Sequence, residues 1–190
     1  LAAPKSAVTQ FVPADIERCA QACPGVRIDL QEMNSQLVQQ ALRRGTVDIG
    51  IYEATLGSID LPMLPYRSDR LVLVTPAEHP LAGRRRVTID DILEFDLIAL
   101  DEGSALTLAL QRLADDRGRV LRLRMRVSGF DSIARLIAQG LGIGVMPLLV
   151  ARAVAGSRRH CHVRIDGDWI TREFVLCHRP LDTLSGAGRQ

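Results

Sequence analysis

An α/β fold is expected of this chain, with two small units, each a parallel sheet with helices packed on it. Strand-like and helix-like segments alternate with short links from Leu1 to Ile51, and the pattern repeats in kind from Leu97 to Met146. Between the two runs stands Leu71-Val72-Leu73-Val74-Thr75-Pro76-Ala77-Glu78-His79-Pro80-Leu81-Ala82. Four branched apolar residues followed by a two-proline turn read as a buried strand where the chain leaves one unit for the other. A second strand-like run, Ile170 to His178, supplies a return, so the link is expected to be double, a hinge rather than a tether.

Leu1-Ala2-Ala3 has the look of the end of a strand. After Pro4-Lys5-Ser6 comes a helical pattern with Val8, Phe11, Val12, Ile16, Cys19, Ala20 and Cys23 on one face, Ser6 as its expected N-cap and a break near Pro13. Pro24-Gly25 ends it, and Val26 to Leu30 alternates as a half-buried strand. Asn34 or Ser35 caps a second helix, with Leu37, Val38, Ala41 and Leu42 inward and Gly45 as its stop; Val47 to Ile51 is a third strand. Leu61 to Leu64 and Tyr66 to Arg70 are further extended pieces. Arg84-Arg85-Arg86 reads as a solvated turn, and Thr88-Ile89-Asp90-Asp91 as a capping-box start.

In the second run, Leu97 to Leu100 is a strand and Asp101 to Ser104 a turn. A helix follows with Leu106, Ala109, Leu110 and Leu113 inward, ending near Gly118. Arg122 to Val127 alternates cation and apolar residue, the mark of a half-exposed edge strand whose charges discourage further pairing. Ser128 to Ser132 turns into a helix with Ile133, Leu136 and Ile137 inward, and Ile143 to Met146 is the next strand. Pro147 suits the first turn of one more helix. The tail from Leu184 to Gln190 is too polar and glycine-rich to hold structure alone.

Composition narrows the function classes. The 190 residues carry a formal charge of +2, too small to argue for nucleic acid or an anionic membrane, and aromatics make up only 4%. No apolar run approaches the roughly 20 residues that span a bilayer. The chain opens on Leu1, so a fragment or a processed form is expected. Cys19, Cys23, Cys161 and Cys177 lack metal-site spacing and read as buried thiols in a reducing cytoplasm.

Three segments together resemble the effector-binding domain of LysR-type transcriptional regulators: Gly45-Thr46-Val47-Asp48-Ile49-Gly50-Ile51, the Leu71 to Ala82 stretch, and Gly140-Leu141-Gly142-Ile143-Gly144-Val145-Met146-Pro147. They stand in the family's order and at about its spacing, and the likeness runs from about Lys5 to Pro180. The resemblance implies a type 2 periplasmic-binding-protein-like fold, two Rossmann-like subdomains joined by two crossover strands. The expected division is 1–68 plus 178–190 against 69–177. It also implies a winged helix-turn-helix N-terminal to this chain, DNA binding only through that domain, a final helix beginning near Leu184, and a cytoplasmic homodimer or homotetramer with no membrane association.

The candidate site follows from three turns where a strand feeds a helix: Pro4-Lys5-Ser6, Gly103-Ser104-Ala105 and Phe130-Asp131-Ser132. Such turns lie at the carboxyl ends of strands, where ligands collect, and free amides at a helix start suit an anion. Lys5 offers a full charge; Ser6 and Ser104 offer hydroxyls. The resemblance places these turns in a cleft between the lobes, holding a small effector, a carboxylate being the expected class. Each serine has a plain alternative as a helix cap. Phe130 either walls the cleft or packs under its loop, and Tyr52 and Thr55 are weaker candidates. Pro4 stands where the family often has a second hydroxyl, which puts a two-point grip there in doubt.

Catalysis finds no support, and no cofactor is expected. His79, His160, His162 and His178 have no carboxylate or nucleophile at a telling spacing, and His160-Cys161-His162 on a strand puts its cysteine opposite its imidazoles. Asp90-Asp91 complements a helix dipole, and there is no P-loop and no GxGxxG. An extracytoplasmic solute-binding protein of the same architecture, or an enzyme on a related two-lobed fold, are the competing readings.

Overall fold

A computed structural model describes residues 1–155, 159–180 and 182–184. The tail 185–190, expected to hold no structure alone, lies outside the described residues, as does all but the first residue of the helix expected from Leu184. The chain forms two compact units, Leu1–Ser68 with Arg172–Gln190 and Asp69–Thr171. It leaves the first between Ser68 and Asp69 and returns between Thr171 and Arg172, six residues before the expected return at 177/178. The last long strand, Thr171–His178, pairs with the first unit from Phe174 onward, so nearly all of it belongs there.

The first unit contains β1 (Ala2–Ala3), α1 (Lys5–Gln10), α2 (Val12–Ala22), β2 (Gln31–Glu32), α3 (Ser35–Arg44), β3 (Ile49–Glu53), the first part of β4 (Met63–Pro76), and β10 (Thr171–His178). β1 runs parallel to both β2 and β3, with Ala2 opposite Gln31 and Gly50, while β10 is antiparallel to β3. The sheet is therefore mixed, not purely parallel as expected. Val26–Leu30, expected as a strand, alternates between half-buried and exposed but does not join the ladder. Two-residue β1 reaches only Gln31 and Glu32.

The helical pattern does break, at Phe11, and Pro13 falls in the first turn of α2, where its missing amide costs nothing. The N-cap of α1 is Pro4; Ser6 is already inside the helix and is buried, so it does not cap. In α3 the alternatives resolve to Asn34, whose Oδ1 accepts from the Leu37 amide at 2.9 Å, and Gly45 closes the helix at φ 69°. Gly50 explains how α3 lies so close to β3: a Cβ there would meet Val38 Cγ1 at 2.6 Å and Leu42 Cδ1 at 2.7 Å. Leu37, expected inward, is 46% exposed, because the buried stripe runs through Val38 and Leu42.

The second unit holds the rest of β4, β5 (Arg86–Val87), α4 (Ile89–Ile92), β6 (Leu97–Leu100), α5 (Ala105–Asp115), β7 (Leu123–Val127), α6 (Phe130–Ala138), β8 (Gly144–Pro147), α7 (Leu148–Val154) and β9 (His160–Ile165). The extended pieces expected from Leu61 onward merge into the single 14-residue β4. Its Leu71–Val74 segment is buried between antiparallel β8 and β9. β6 and β7 pair in parallel, and β7 has no second neighbour among the described residues, as an edge strand should. Its cations are answered by Asp96 (3.8 Å from Arg124) and Glu102 (2.8 Å from Arg126). The capping box at α4 forms in full between Thr88 and Asp91. Two arginines of the basic turn pair, Arg84 with Asp91 at 2.6 Å and Arg86 with Asp166 at 3.0 Å.

Candidate functional site

In the first unit the Pro4-Lys5-Ser6 turn sits at the carboxyl end of β1. Lys5 does not present an open charge: its Nζ lies 2.5 Å from Glu32 Oε1 at the end of neighbouring β2. Ser6 is 8% exposed, and its hydroxyl makes no hydrogen bond among the described residues. α1 is only six residues long, so the partial charge at its start is modest. Tyr52 is wholly buried in the core between α3 and the sheet, and its hydroxyl meets Met63 Sδ at 3.3 Å; burial pushes its pKa up. Thr55 is exposed on the 3-10 turn Ala54–Leu56 that follows β3.

The same end of the sheet carries a pair that the sequence did not reveal. Arg172 Nη1 donates to Glu53 Oε1 at 2.9 Å, with the two side chains only 8% and 10% exposed. Glu53 is the last residue of β3, three residues past Gly50, just as Lys5 is three past Gly50's parallel neighbour Ala2. It is therefore level with the Pro4–Lys5 turn. Side chains two apart on a strand share a face, so Glu53 lies on the Ile51 side, the side that packs on Ala7 of α1 and Val12 of α2. The Ser35 hydroxyl accepts from the Glu53 amide at 3.3 Å, and the Arg172 guanidinium stands 5.3 Å from the centre of the Phe174 ring.

In the second unit Ser104 is the N-cap residue of the 11-residue α5, following Gly103 at φ 91°. Its carbonyl accepts from Leu108 at 3.0 Å, but its hydroxyl caps no amide, so no side chain caps the first turn of α5. Thr107 instead turns inward and donates to the Leu100 carbonyl at 3.0 Å. Phe130 is the first residue of α6 and is 3% exposed, its ring packed within the apolar core. Asp131 is exposed, 3.8 Å from Arg135, and supplies negative charge where a bound anion would otherwise sit.

Two cavities inside the units lie elsewhere. In the first unit a cleft of about 360 Å³ is lined by Leu1, Ile16, Val26, Ile28, Val47 and Tyr66 among others, at the amino ends of β1 and β3. At its rim Asp15 accepts from Tyr66 and pairs with Arg18 and with Arg67, the latter at 3.3 Å. Burial alone would raise the Asp15 pKa, but these partners hold it below the usual carboxylate value. In the second unit about 320 Å³ is lined by His79, Glu94, Phe95, Arg122 and Arg124, at the starts of β6 and β7. None of the eight sequence candidates lines either space.

No group of three or more metal-binding side chains comes together among the described residues. The ring nitrogens of His160 and His162 meet the Ala134 and Ala155 carbonyls at 2.7 and 3.1 Å. All four cysteines are free, but only Cys177 is buried; Cys19, Cys23 and Cys161 are partly exposed, against expectation.

With this geometry in hand, comparison with known proteins gives a consistent result. The chain is 25% identical over 182 residues to the RuBisCO operon transcriptional regulator of Allochromatium vinosum, covering 96% of this chain and 60% of that protein. It is 23% identical over 181 residues to the HTH-type transcriptional regulator AlsR of Bacillus subtilis, covering 93% and 60%. The chain thus spans about 60% of the length of these curated relatives. Among solved structures, the Synechocystis PCC6803 CcmR regulatory domain in complex with 2-PG superposes with a TM-score of 0.84 at 24% identity, covering 99% of this chain and 90% of that one. The QuiR effector-binding domain in complex with shikimate gives 0.80 at 17%, with the same coverage. The fold is thus α/β and type 2 periplasmic-binding-protein-like. The model of the LysR substrate binding domain matches residues 1–190, and the chain belongs to that family.

Proposed function

We propose that this chain is the ligand-sensing module of a transcription factor and that it takes a small anionic metabolite, a carboxylate or a phosphorylated acid. The observation that carries the reading is the Ser104 turn. A left-handed glycine, an uncommitted hydroxyl and the uncapped amides of a three-turn helix converge there, with no acidic side chain in that first turn. Ser6, whose hydroxyl has no hydrogen-bond partner among the described residues, stands at the corresponding turn of the first unit. The regulators among the relatives support sensing over solute transport, and the 2-PG and shikimate bound by structural neighbours support an anion.

In the whole protein, DNA contact belongs to an N-terminal winged helix-turn-helix, the assembly is a homodimer or homotetramer, and the compartment is the cytoplasm. No helix among the described residues is long and apolar enough to cross a membrane. A ligand shifts a conformational equilibrium only through different affinity for its two states, so binding must alter either the lobe arrangement or the assembly. The test is a thermal-shift screen with benzoate, shikimate, 2-phosphoglycolate and inorganic phosphate. At least one is expected to raise Tm, and Ser104→Ala to reduce that shift. No response to any of them, with Ser6→Ala and Ser104→Ala silent in a reporter assay, would sink the reading.

A further inference from the structure

We infer that the cleft under α2 in the first unit is a second binding site, for a small uncharged apolar molecule. It is independent of the anion-sensing reading above. The cleft lies at the amino ends of β1 and β3, whereas the Pro4-Lys5-Ser6 turn follows the carboxyl end of β1, and all its lining residues belong to the first unit. α2 explains why the space is open. Of its 11 residues only Val12 is buried; Ile16 and Cys19, four and seven positions further along the same stripe, are half-buried and line the cleft. The other wall is built by β1, β3, β10 and the segment before β2, where Leu1, Ile49, Leu176 and Ile28 are half-buried too. Interiors pack closely, so two aliphatic walls held apart describe a seat for a guest.

The polar groups of the lining decide the chemistry of that guest, because the protein already engages them. The Tyr66 hydroxyl donates to Asp15, which also pairs with Arg18 and Arg67. Asp29 accepts from Gln31 Nε2 at 2.8 Å, the Thr46 hydroxyl donates to the Ala41 carbonyl at 3.2 Å, and Asp48 stands 3.9 Å from Arg179. Arg27 is exposed, so water and salt screen its charge. What the cleft offers is aliphatic surface, and an ionic guest would shed its water for no equivalent partner. Size separates a molecule from a docked chain. A helix is about 10–12 Å across with its side chains. The 360 Å³ here is little more than twice the dry cavity of about 150 Å³ that holds benzene, which suits about a dozen non-hydrogen atoms.

The cysteines report occupancy. Cys19 lines the cleft and Cys23 and Cys161 do not, yet all three are partly exposed. The probe is 1-octanol on the intact 190-residue chain, with octanoate and octylamine as ionic counterparts of the same length. Affinities come from isothermal titration, and alkylation rates by iodoacetamide from fragment-ion mass mapping of each cysteine. At about ten times its Kd, octanol should slow alkylation of Cys19 about tenfold and leave Cys23 and Cys161 unchanged. Octanoate and octylamine should bind about tenfold more weakly than octanol. Ile28→Trp fills the space and should abolish the heat of octanol binding with the far-ultraviolet dichroism retained.

Absence of both heat and Cys19 protection overturns the site. Equal slowing of all three cysteines overturns it as well, since that reports a general effect of the alcohol. Either ion binding as tightly as octanol overturns the uncharged class, and unaltered binding by folded Ile28→Trp moves the guest out of the cleft. The cysteine measurement is made on the parent chain, so it decides the matter even where the variant does not fold.

Discussion

The two units solve the problem of a core differently. In the second, one continuous apolar cluster joins Leu71–Val74 of β4 to Ile98 of β6, Leu110 of α5, Ile133 and Ile137 of α6 and Met146 of β8. In the first, the sheet separates two smaller clusters. Ala2, Val38, Leu42, Tyr52 and Cys177 lie on the α3 side, and Ala3, Ala7, Val12, Ile51 and Phe174 on the α1–α2 side. The first unit also buries Ser6, Ser35, Gln39, Glu53 and Arg172. The second unit buries Asp69, Thr75 and Thr107 around its single cluster, whereas the first divides a smaller apolar core and buries more polar groups beside it.

Breaking the charged pair gives the largest expected effect. Arg172→Met removes the buried guanidinium that donates to Glu53 Oε1 and should cost about 3–5 kcal/mol in equilibrium denaturation. Arg172→Lys, which keeps the charge, should recover part of that loss. If Arg172→Lys is as unstable as Arg172→Met, the shape of the guanidinium rather than its charge is what the interior holds. Truncating the cluster of the second unit comes next. Ile133→Ala removes a fully buried side chain from the continuous cluster and should cost about 2–5 kcal/mol, while its neighbours' close packing limits collapse into the space.

The chain carries its own reporters for this comparison. Its single tryptophan, Trp169, belongs to the second unit, and both tyrosines, Tyr52 and Tyr66, to the first. Tryptophan fluorescence and tyrosine absorbance therefore follow the two units separately. Ile133→Ala should shift the fluorescence midpoint at least as far as the tyrosine one. Coincident transitions in the parent and in the variant would mean the units unfold as one, and the contrast between them would then be one of composition only.

How much of this was readable beforehand tracks the same contrast. Apolar periodicity located α3, α5, α6 and the buried Leu71–Val74 strand, because a continuous apolar core is written in local spacing. The capping box at Thr88 and the αL stop at Gly45 are likewise local. The candidate site was legible only in part. Ser104 stands where a strand–turn–helix pattern puts it, but Ser6 is displaced by Pro4 as cap, and Phe130 and Tyr52 are drawn into the core. Glu53 and Arg172 are 119 residues apart and meet only through the antiparallel β3–β10 ladder, so no spacing could announce them. Lys5 looked like a free cation because its partner Glu32 is supplied by a neighbouring strand.

A smaller effect tests the local signals of the second unit. Thr88→Ala removes the hydroxyl that accepts from the Asp91 amide at 3.3 Å and should cost about 1 kcal/mol. The Asp91 pKa is lowered, first by the Thr88 backbone amide, then by the Thr88 hydroxyl and Arg84. A carboxyl depressed on folding gives stability that is present above its ordinary value of 3.8 and is lost as pH falls through the folded value. Thr88→Ala keeps the backbone bond, so part of that acid sensitivity should survive, and urea midpoints measured between pH 5 and pH 3 would show it. Complete loss of the slope would mean the hydroxyl, not the amide, dominates.

The smallest effect lies at the turn that follows β4. His79 Nδ1 accepts from the Leu81 amide at 3.2 Å, and its ring stands edge-on to Phe95 with centroids 4.5 Å apart. Burial lowers its pKa below the ordinary 6.5. Protonation would also take away the acceptor that Leu81 uses. Because the folded state binds this proton less readily than the unfolded one, stability is full above pH 6.5 and declines as pH falls below it. His162, lowered chiefly by burial as well, adds a term of the same sign from β9. His79→Gln should flatten the decline between pH 6.5 and pH 5 without abolishing it, at a modest cost at pH 8 where the ring contact with Phe95 is lost. An unchanged slope would assign the whole decline to His162, and would leave the His79 turn as packing alone.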